Sequence, residues 1–129
     1  MNFNPFPVLI SENLVLKQAK NSDWEEVLFL RSNKEVNEFV KRPLSNNKEN
    51  ALAFIEKVNI GILNNENLYW KITQKKQDKM IGSISLWNFS KDKLTGEVGY
   101  DLHPDFHNKG VMSEALKVVM NFGFTILKW

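Results

Sequence analysis

The residues best suited to chemistry lie between positions 96 and 116. An extended run at 97–102 leads into a polar loop ending at Gly110, and an amphipathic helix follows from Met112. The first N–H groups of a helix have no intrahelical acceptor, and the helix dipole adds partial positive charge beside them. Gly110 lets the backbone approach a bulky anion, and Lys109 can add a point charge. The segment predicts a phosphate or pyrophosphate cradle, although many such connections carry a glycine only for turn geometry.

The elements that must position this segment are indicated by the spacing of apolar and turn-forming residues. In order, we predict a strand at 14–18, a helix at about 22–32, a helix capped by Asn46 or Asn47, strands at 68–73, 80–87 and 95–102, and a helix from 112. Three consecutive strands joined by short polar turns favour an antiparallel meander. The predicted fold class is therefore α/β, with a mixed, mostly antiparallel sheet and flanking helices, and not a doubly wound parallel sheet.

Three local signals refine these elements. Ser22, with Glu25 three residues later, is a capping-box signature for the first helix. Pro43 stops any helical turn around residues 34–41. In the last helix, small and apolar residues recur along one side, namely Ala115, Leu116, Val119, Met120, Gly123 and Ile126.

Composition excludes several classes of protein. The chain has 129 residues, 43% hydrophobic and 25% charged, which is typical of one globular domain. Its net charge of +2 is too small to predict binding to nucleic acid or an anionic membrane. The absence of cysteine excludes thiolate catalysis, disulfides and cysteine-based metal sites. With no apolar run of roughly 18–20 residues and no signal peptide, we expect a soluble, cytoplasmic protein.

Two runs in the central segment carry a family resemblance. Residues 96–104 read Gly-Glu-Val-Gly-Tyr-Asp-Leu-His-Pro, and residues 107–116 read His-Asn-Lys-Gly-Val-Met-Ser-Glu-Ala-Leu. These runs resemble the acetyl-CoA motif of the GNAT superfamily of N-acetyltransferases, especially the branch that includes the ribosomal-protein N-terminal acetyltransferases. That branch typically has a G-E-[IV]-G-Y strand, a loop ending in G-K-G or G-Q-G, and then [ST]-E-A-L. Residues 13–17 and 80–84 are similar to two earlier family strands, so the resemblance spans about residues 12–127.

The resemblance implies an acyl-CoA N-acyltransferase-like fold in which residues 1–129 form a single, partial domain. The family normally continues beyond the motif helix with a further strand, a helix and a two-stranded hairpin. This chain stops at Trp129, at the end of that helix. We therefore expect the usual C-terminal strands, and the general acid that follows the first of them, to be missing.

Acetyl-CoA is the cofactor that the resemblance implies. The strand would offer backbone groups to its pantetheine arm, through Val98, Gly99, Tyr100 and Leu102. The pyrophosphate would be held by the main-chain amides of His107, Asn108, Lys109, Gly110, Val111 and Met112, and the Ser113 hydroxyl could reach a phosphate. His107 replaces the family's usual Gln or Arg, and Met112 replaces a small residue. Because main-chain amides bind whatever the side chain, neither departure removes the predicted site.

Acetylation of an amine also needs a proton acceptor. An ammonium group must lose a proton before it attacks a thioester, and a carboxylate can accept it directly or through water. Glu97 is the predicted catalytic residue because it resembles a carboxylate found at that strand in several family members; the alternative is a solvated edge residue. An N–H group among residues 98–100 would hold the oxyanion. Trp70 and Trp87, on neighbouring strands, are candidates for the acceptor groove, with the core as the alternative.

Two functions remain open. The first is an N-acetyltransferase that moves acetyl from acetyl-CoA to a primary amine, of a peptide N-terminus or a small molecule, by direct attack without a covalent enzyme intermediate. The second is a non-catalytic or degenerate acetyltransferase fragment that dimerises, because its sheet edge is unpaired, or binds CoA without turnover. No nucleic acid, membrane or metal is expected: His103 and His107 have metal-ligand spacing only on a helix, and Pro104 lies between them.

Overall fold

The computed structural model describes residues 2–36, 47–92 and 94–127. Its elements are β1 (Leu9–Ile10), β2 (Leu14–Gln18), α1 (Trp24–Ser32), α2 (Lys48–Leu63), β3 (Leu68–Gln74), β4 (Gly82–Trp87), β5 (Glu97–Leu102) and α3 (Val111–Thr125). A 3₁₀ turn precedes α1 at Asn21–Asp23, and another follows β5 at Pro104–Phe106. The predicted mixed α/β fold is confirmed. None of the described helices is both long and apolar enough to cross a lipid bilayer.

The strands form one sheet in the order β1-β2-β3-β4-β5, and every neighbouring pair is antiparallel. Leu16 lies beside Ile72, Ile72 beside Gly82, and Gly82 beside Leu102, so one row of paired residues crosses four strands. The predicted meander of β3, β4 and β5 is confirmed. Strand β1 is an addition, since a strand of two residues is too short for alternation to show in the sequence. Within the described residues, β5 has a partner on one side only.

Helices cover both faces of the sheet. Successive side chains of a strand point to opposite faces, so two consecutive residues of β3 contact the helices on opposite faces of the sheet. Phe54 of α2 packs edge-to-face on Tyr69 with ring centroids 5.4 Å apart, whereas Phe122 of α3 packs on Trp70 at 5.7 Å. Helix α2, with α1 packed against it, therefore covers one face, and α3 covers the other. We call these the α1/α2 face and the α3 face.

The start of α2 is capped as predicted. The Asn47 side chain accepts a hydrogen bond from the Asn50 N–H at 2.8 Å, which satisfies one donor of the first turn. The alternative cap, Asn46, and the helix stop at Pro43 lie outside the described residues.

The capping box predicted for α1 is wrong. Because the chain enters α1 through a 3₁₀ turn, Ser22 lies inside that turn and does not cap the helix with Glu25. Asp23 takes over the structural role, and its carboxylate accepts a hydrogen bond from the Lys20 N–H at 2.8 Å. The local sequence pattern therefore placed the helix correctly but its first cap incorrectly.

The core-facing side of α3 is largely as predicted, with one error. The buried residues of the helix are Ala115, Val119, Phe122 and Gly123. Ile126, the residue that follows the end of α3 at Thr125, is 64% exposed. Phe122, which the sequence pattern did not single out, supplies the contact with Trp70 instead.

A buried ion pair joins β3 to the entry of α1. Lys71 is fully buried on the α1/α2 face, with its Nζ 3.0 Å from both carboxylate oxygens of Asp23. Asp78 lies 3.4 Å from the same Nζ and 2.8 Å from the Nζ of Lys17. Because a buried charge is costly without such partners, this pairing constrains how α1 docks on the sheet.

Candidate active site

The open edge of β5 offers backbone hydrogen-bonding groups. The His103 N–H donates to the Ile81 carbonyl at 2.8 Å, one step beyond the Gly82–Leu102 pair in the same register. In an antiparallel ladder, residues that bond to the neighbouring strand alternate with residues that do not. Counting back from His103, the backbone groups that face β4 belong to Glu97, Gly99 and Asp101. The backbone groups of the intervening residues therefore face away from β4.

The outward-facing residues of β5 are Val98, Tyr100 and Leu102. The Leu102 carbonyl supports this assignment directly, because it accepts a hydrogen bond from the His107 ring Nε2 at 2.8 Å. Val98 and Tyr100 thus direct N–H and C=O groups to the open edge, where an extended amide-containing chain can pair with them. The prediction is corrected at Gly99, whose backbone bonds within the sheet, with Ser85 Oγ 3.4 Å from its carbonyl oxygen.

The loop after β5 begins with a tight 3₁₀ turn. The Phe106 N–H donates to the His103 carbonyl at 2.9 Å, and the His107 N–H donates to the Pro104 carbonyl at 3.1 Å. The His103 ring Nδ1 also accepts from the Asp105 N–H at 3.0 Å. The predicted use of the His107 amide for pyrophosphate is therefore wrong, since the turn already uses that N–H group. His107 instead fixes the loop to the end of β5 through its ring.

The next six N–H groups, from residues 108 to 113, have no protein acceptor in the described part of the chain. Asn108 (φ 61°) and Gly110 (φ 77°) adopt left-handed backbone conformations that turn the loop into α3. The Gly110 carbonyl accepts from the Glu114 N–H at 3.1 Å, which closes the first turn of the helix. A Cβ atom added at Gly110 would meet nothing within 4 Å. The helix start therefore presents a run of unsatisfied amides to open space, which suits an anion.

Glu114 anchors this helix start to the β1–β2 turn. Its carboxylate accepts hydrogen bonds from the Ser11 hydroxyl, from the Asn13 N–H at 2.8 Å and from the Asn13 side-chain amide at 2.9 Å. These bonds, first from Ser11 and then from Asn13, lower the pKa of Glu114 below its ordinary value. The sequence motif includes Glu114 but does not reveal this anchoring role, because its partners are about 100 residues away in the chain.

A cavity of about 1120 Å³ joins the helix start, the edge of β5 and the α1/α2 face. Most of the predicted site residues line it: Trp87, Gly99, Tyr100, Leu102, His107, Asn108, Gly110, Val111, Met112 and Ser113. The wall on the α1/α2 face includes Arg31, Phe54 and Tyr69, with the Arg31 guanidinium 3.8 Å from the centre of the Phe54 ring. One continuous space thus connects the anion-binding amides with an aromatic pocket.

Four predicted site residues lie elsewhere. Trp70 is fully buried on the α3 face, and its Nε1 donates to the Pro7 carbonyl at 2.7 Å, so it is a core residue and not a wall of the acceptor groove. The Val98 side chain packs against the core. Lys109 is exposed and outside the cavity wall. Glu97 is exposed at the outer end of β5, where it accepts from the Asn88 side chain at 2.9 Å, and does not line the cavity.

Sequence reasoning missed a carboxylate that does line the cavity. Asp101 is only 6% exposed, and its Oδ1 accepts a hydrogen bond from the Ser83 hydroxyl at 2.5 Å. The available signal was a charged residue inside a strand at the same period-two position as Glu97 and Gly99. Among the described residues, no three His, Asp or Glu side chains lie close enough to hold a metal ion.

The sequence of this chain also matches the model of a known protein family. The model of the acetyltransferase (GNAT) domain matches residues 13–129, which is most of the chain. The protein therefore belongs to the GNAT acetyltransferase family, as the resemblance of its motifs predicted.

Three known proteins illustrate the likeness. The uncharacterised N-acetyltransferase YoaA of Bacillus subtilis is 25% identical over 122 residues, which are 95% of this chain and 69% of YoaA. The structure of the microcin C7 self-immunity acetyltransferase MccE in complex with acetyl-CoA and AMP has a TM-score of 0.74 at 23% identity, over 91% of this chain and 66% of MccE. A Salmonella typhimurium acetyltransferase that modifies the N-terminal serine of ribosomal protein L7/L12 has a TM-score of 0.77 at 18% identity, over 91% and 67%. The chain thus spans about two thirds of the length of each of these proteins.

Proposed function

We propose that this protein transfers the acetyl group of acetyl-CoA to a primary amine. The observation that carries the proposal is the run of unbonded amides at 108–113 beside the open edge of β5, within one cavity. Family membership supports acetyl transfer in general. The local geometry adds a reason why this chain in particular would bind an anionic, amide-containing acyl carrier.

The residues fit acetyl-CoA in two places. The amides of residues 108–112 suit its diphosphate, and the Ser113 hydroxyl lies in the first turn of α3, where it can donate to a phosphate oxygen. Val98 and Tyr100 direct backbone groups to the open edge, where they can bond to the amides of the pantetheine arm. Acetyl-CoA supplies a thioester that an amine can attack. The MccE complex, which holds acetyl-CoA, supports this assignment by analogy.

The acceptor side is the part of the cavity on the α1/α2 face. Phe54, Tyr69 and Trp87 give it aromatic walls, and Ser83 and Asp101 give it a polar floor. We infer a primary amine of a peptide N-terminus or a small molecule as the acceptor. The Salmonella neighbour, which modifies an N-terminal serine, favours the peptide. Attack is direct, because the chain has no cysteine to carry the acetyl group.

Calorimetry and a thiol-release assay test this proposal. Titration with acetyl-CoA should give saturable binding and raise the Tm through ligand linkage. Release of free CoA thiol should then depend on an added amine, tested with peptides beginning with serine or alanine, free amino acids, spermidine and an aminoglycoside. No binding of acetyl-CoA at millimolar concentration would refute the proposed function.

A second candidate is a fragment that binds CoA without turnover. The observation in its favour is the position of Glu97, since the predicted base lies outside the cavity. Binding of acetyl-CoA with no thiol release from any amine of the panel would support this alternative. The expected cytoplasmic location and the homodimer remain proposals, and light scattering tests the dimer.

A further inference from the structure

We propose that Asp101, and not Glu97, is the carboxylate that receives the ammonium group of the acceptor and takes its proton. This inference rests on the proposed function and names the residue that would perform its proton transfer. Both carboxylates lie on β5 and point to the α1/α2 face, since they are four positions apart in the strand. They differ in depth: Asp101 lines the cavity, whereas Glu97 is exposed at the strand end and bonded to Asn88.

The backbone beside Asp101 supports this assignment. Tyr100, the preceding residue, directs its N–H and C=O groups to the open edge where the pantetheine arm would pair. The Asp101 side chain therefore starts one residue away from the proposed path of the thioester, on the face that carries the aromatic pocket. A base placed there can reach an amine lying between the pocket and the strand edge.

Ser83 holds the Asp101 carboxylate in a defined orientation. The two residues are directly paired across β4 and β5, and both are buried, with 4% and 6% of their surfaces exposed. The Ser83 hydroxyl donates to Asp101 Oδ1 at 2.5 Å, which limits rotation of the carboxylate. Ser83 is therefore a positioning residue, which acts on the acceptor through Asp101.

Among the described residues that line the cavity, Asp101 is the only one with a carboxylate. The other charged or titratable groups of that wall are Arg31 on α1, Lys57 on α2, Tyr69 and Tyr100 on the sheet, and His107 in the loop. Arg31 and Lys57 carry cationic side chains, so neither attracts an ammonium ion. The His107 ring is bonded to the Leu102 carbonyl at 2.8 Å, at the far side of the strand edge. Asp101 is thus the acidic group placed to attract an ammonium ion.

The proton balance of the proposed step is simple. The acceptor ammonium gives one proton to the Asp101 carboxylate, and its nitrogen lone pair forms the N–C bond to the acetyl carbonyl carbon as the C–S bond breaks. The nitrogen loses its second proton to the sulfur, which leaves as the CoA thiol. Asp101 then returns its proton to water, and the products are the N-acetyl compound and CoA.

The test compares Asp101→Asn with Glu97→Gln, a matched control on the same strand and face. Both variants should bind acetyl-CoA within twofold of the wild-type Kd in calorimetry. With a tripeptide beginning with serine or alanine, Asp101→Asn should lower kcat/KM by about 100-fold or more. Glu97→Gln should stay within about threefold of wild type. Ser83→Ala should lower kcat by a smaller factor, with recovery in Ser83→Thr.

Binding provides a readout that does not depend on turnover. In calorimetry with CoA-saturated protein, Asp101→Asn should weaken binding of the tripeptide, and Glu97→Gln should not. If Asp101→Asn fails to fold, carbon-13 NMR of the wild-type protein decides: addition of the tripeptide should shift the Asp101 carboxyl resonance and leave that of Glu97 in place.

Three results would overturn the inference: Asp101→Asn activity within threefold of wild type, a loss in Glu97→Gln as large as in Asp101→Asn, or an NMR response at Glu97 alone. Absence of acetyl-CoA binding in the wild-type protein is a different result. It would count against the proposed function itself.

Discussion

Gly110→Ala tests the proposed anion site at the start of α3 most directly. Gly110 has φ 77° and ψ 4°, a left-handed conformation that costs an L-residue about 1–2 kcal/mol. A Cβ atom there meets nothing within 4 Å, so no clash with the protein adds to this cost. For a domain of 129 residues, we expect the Tm to fall by roughly 3–8 °C in thermal denaturation.

The effect on acetyl-CoA should exceed what this loss of stability explains. A domain with about 5 kcal/mol of stability stays more than 95% folded after losing 2 kcal/mol, so global unfolding changes the apparent Kd by less than about 10%. The added methyl group, however, would stand on the cavity wall beside the amides of residues 108–112, where the proposed diphosphate would bind. We expect the Kd for acetyl-CoA, measured by calorimetry, to rise at least tenfold.

Asn108→Gly is the matched control for this variant. Asn108 also has a left-handed backbone, with φ 61°, so glycine keeps the conformation and adds no atoms to the site. Its Kd for acetyl-CoA should stay within about threefold of wild type. If Gly110→Ala loses stability as expected but keeps the wild-type Kd, the amides at the helix start do not hold the diphosphate.

Three further predictions concern the framework and the acceptor pocket. Glu114→Gln should lower the Tm at pH 7. The pKa of Glu114 is lower in the folded state than in the unfolded state, so the carboxylate stabilises the fold at pH values above its ordinary pKa. The difference in Tm between wild type and variant should therefore narrow as pH falls below about 4. A pH series of thermal melts checks this, and a constant difference would contradict it. Asp23→Ala should lower the free energy of unfolding by about 3–5 kcal/mol in urea denaturation, because it leaves Lys71 buried without its main partner. Adding Lys71→Met to this variant should restore part of the lost stability. Trp70→Ala should lower the free energy of unfolding by about 3–5 kcal/mol, because the Trp70 side chain is fully buried. Trp87 is 48% exposed, so Trp87→Ala should leave the Tm nearly unchanged and raise the KM for the acceptor.

The sequence predicted the sheet well because alternation and turn chemistry are local signals. The meander of β3, β4 and β5 follows from period-two patterns and polar turns, and the end of β5, at Leu102, falls at the predicted residue. The two tryptophans show where local signals stop. Trp70 pairs with Ile84, so Trp87, three residues further along β4, must lie on the opposite face. That conclusion needs the register between strands, which no single strand contains.

The positions of the His107 amide and the Glu97 side chain could not be derived from the sequence, for similar reasons. The motif placed His107 in an amide cradle, but whether its N–H is available depends on the 3₁₀ turn at Pro104–Phe106. Glu97 and Asp101 have the same side-chain direction, and only the position of the cavity along β5 separates them. Sequence reasoning can assign a face to each residue of a strand, but the depth of a cavity depends on elements packed from elsewhere in the chain.

The register of β5 against β4 determines the whole arrangement of the candidate site. Residues whose backbones bond to β4 carry side chains to the α1/α2 face, and Asp101 is held there by the ladder and by Ser83. The residues between them leave their backbone groups at the open edge. A shift of one residue would turn Asp101 to the α3 face and its backbone to the edge, so the proposed base and the backbone partners would exchange places. The proposed binding of the acyl carrier and the positioning of the carboxylate therefore depend on the same pairing, and a variant that loosens β4 from β5 should impair both together.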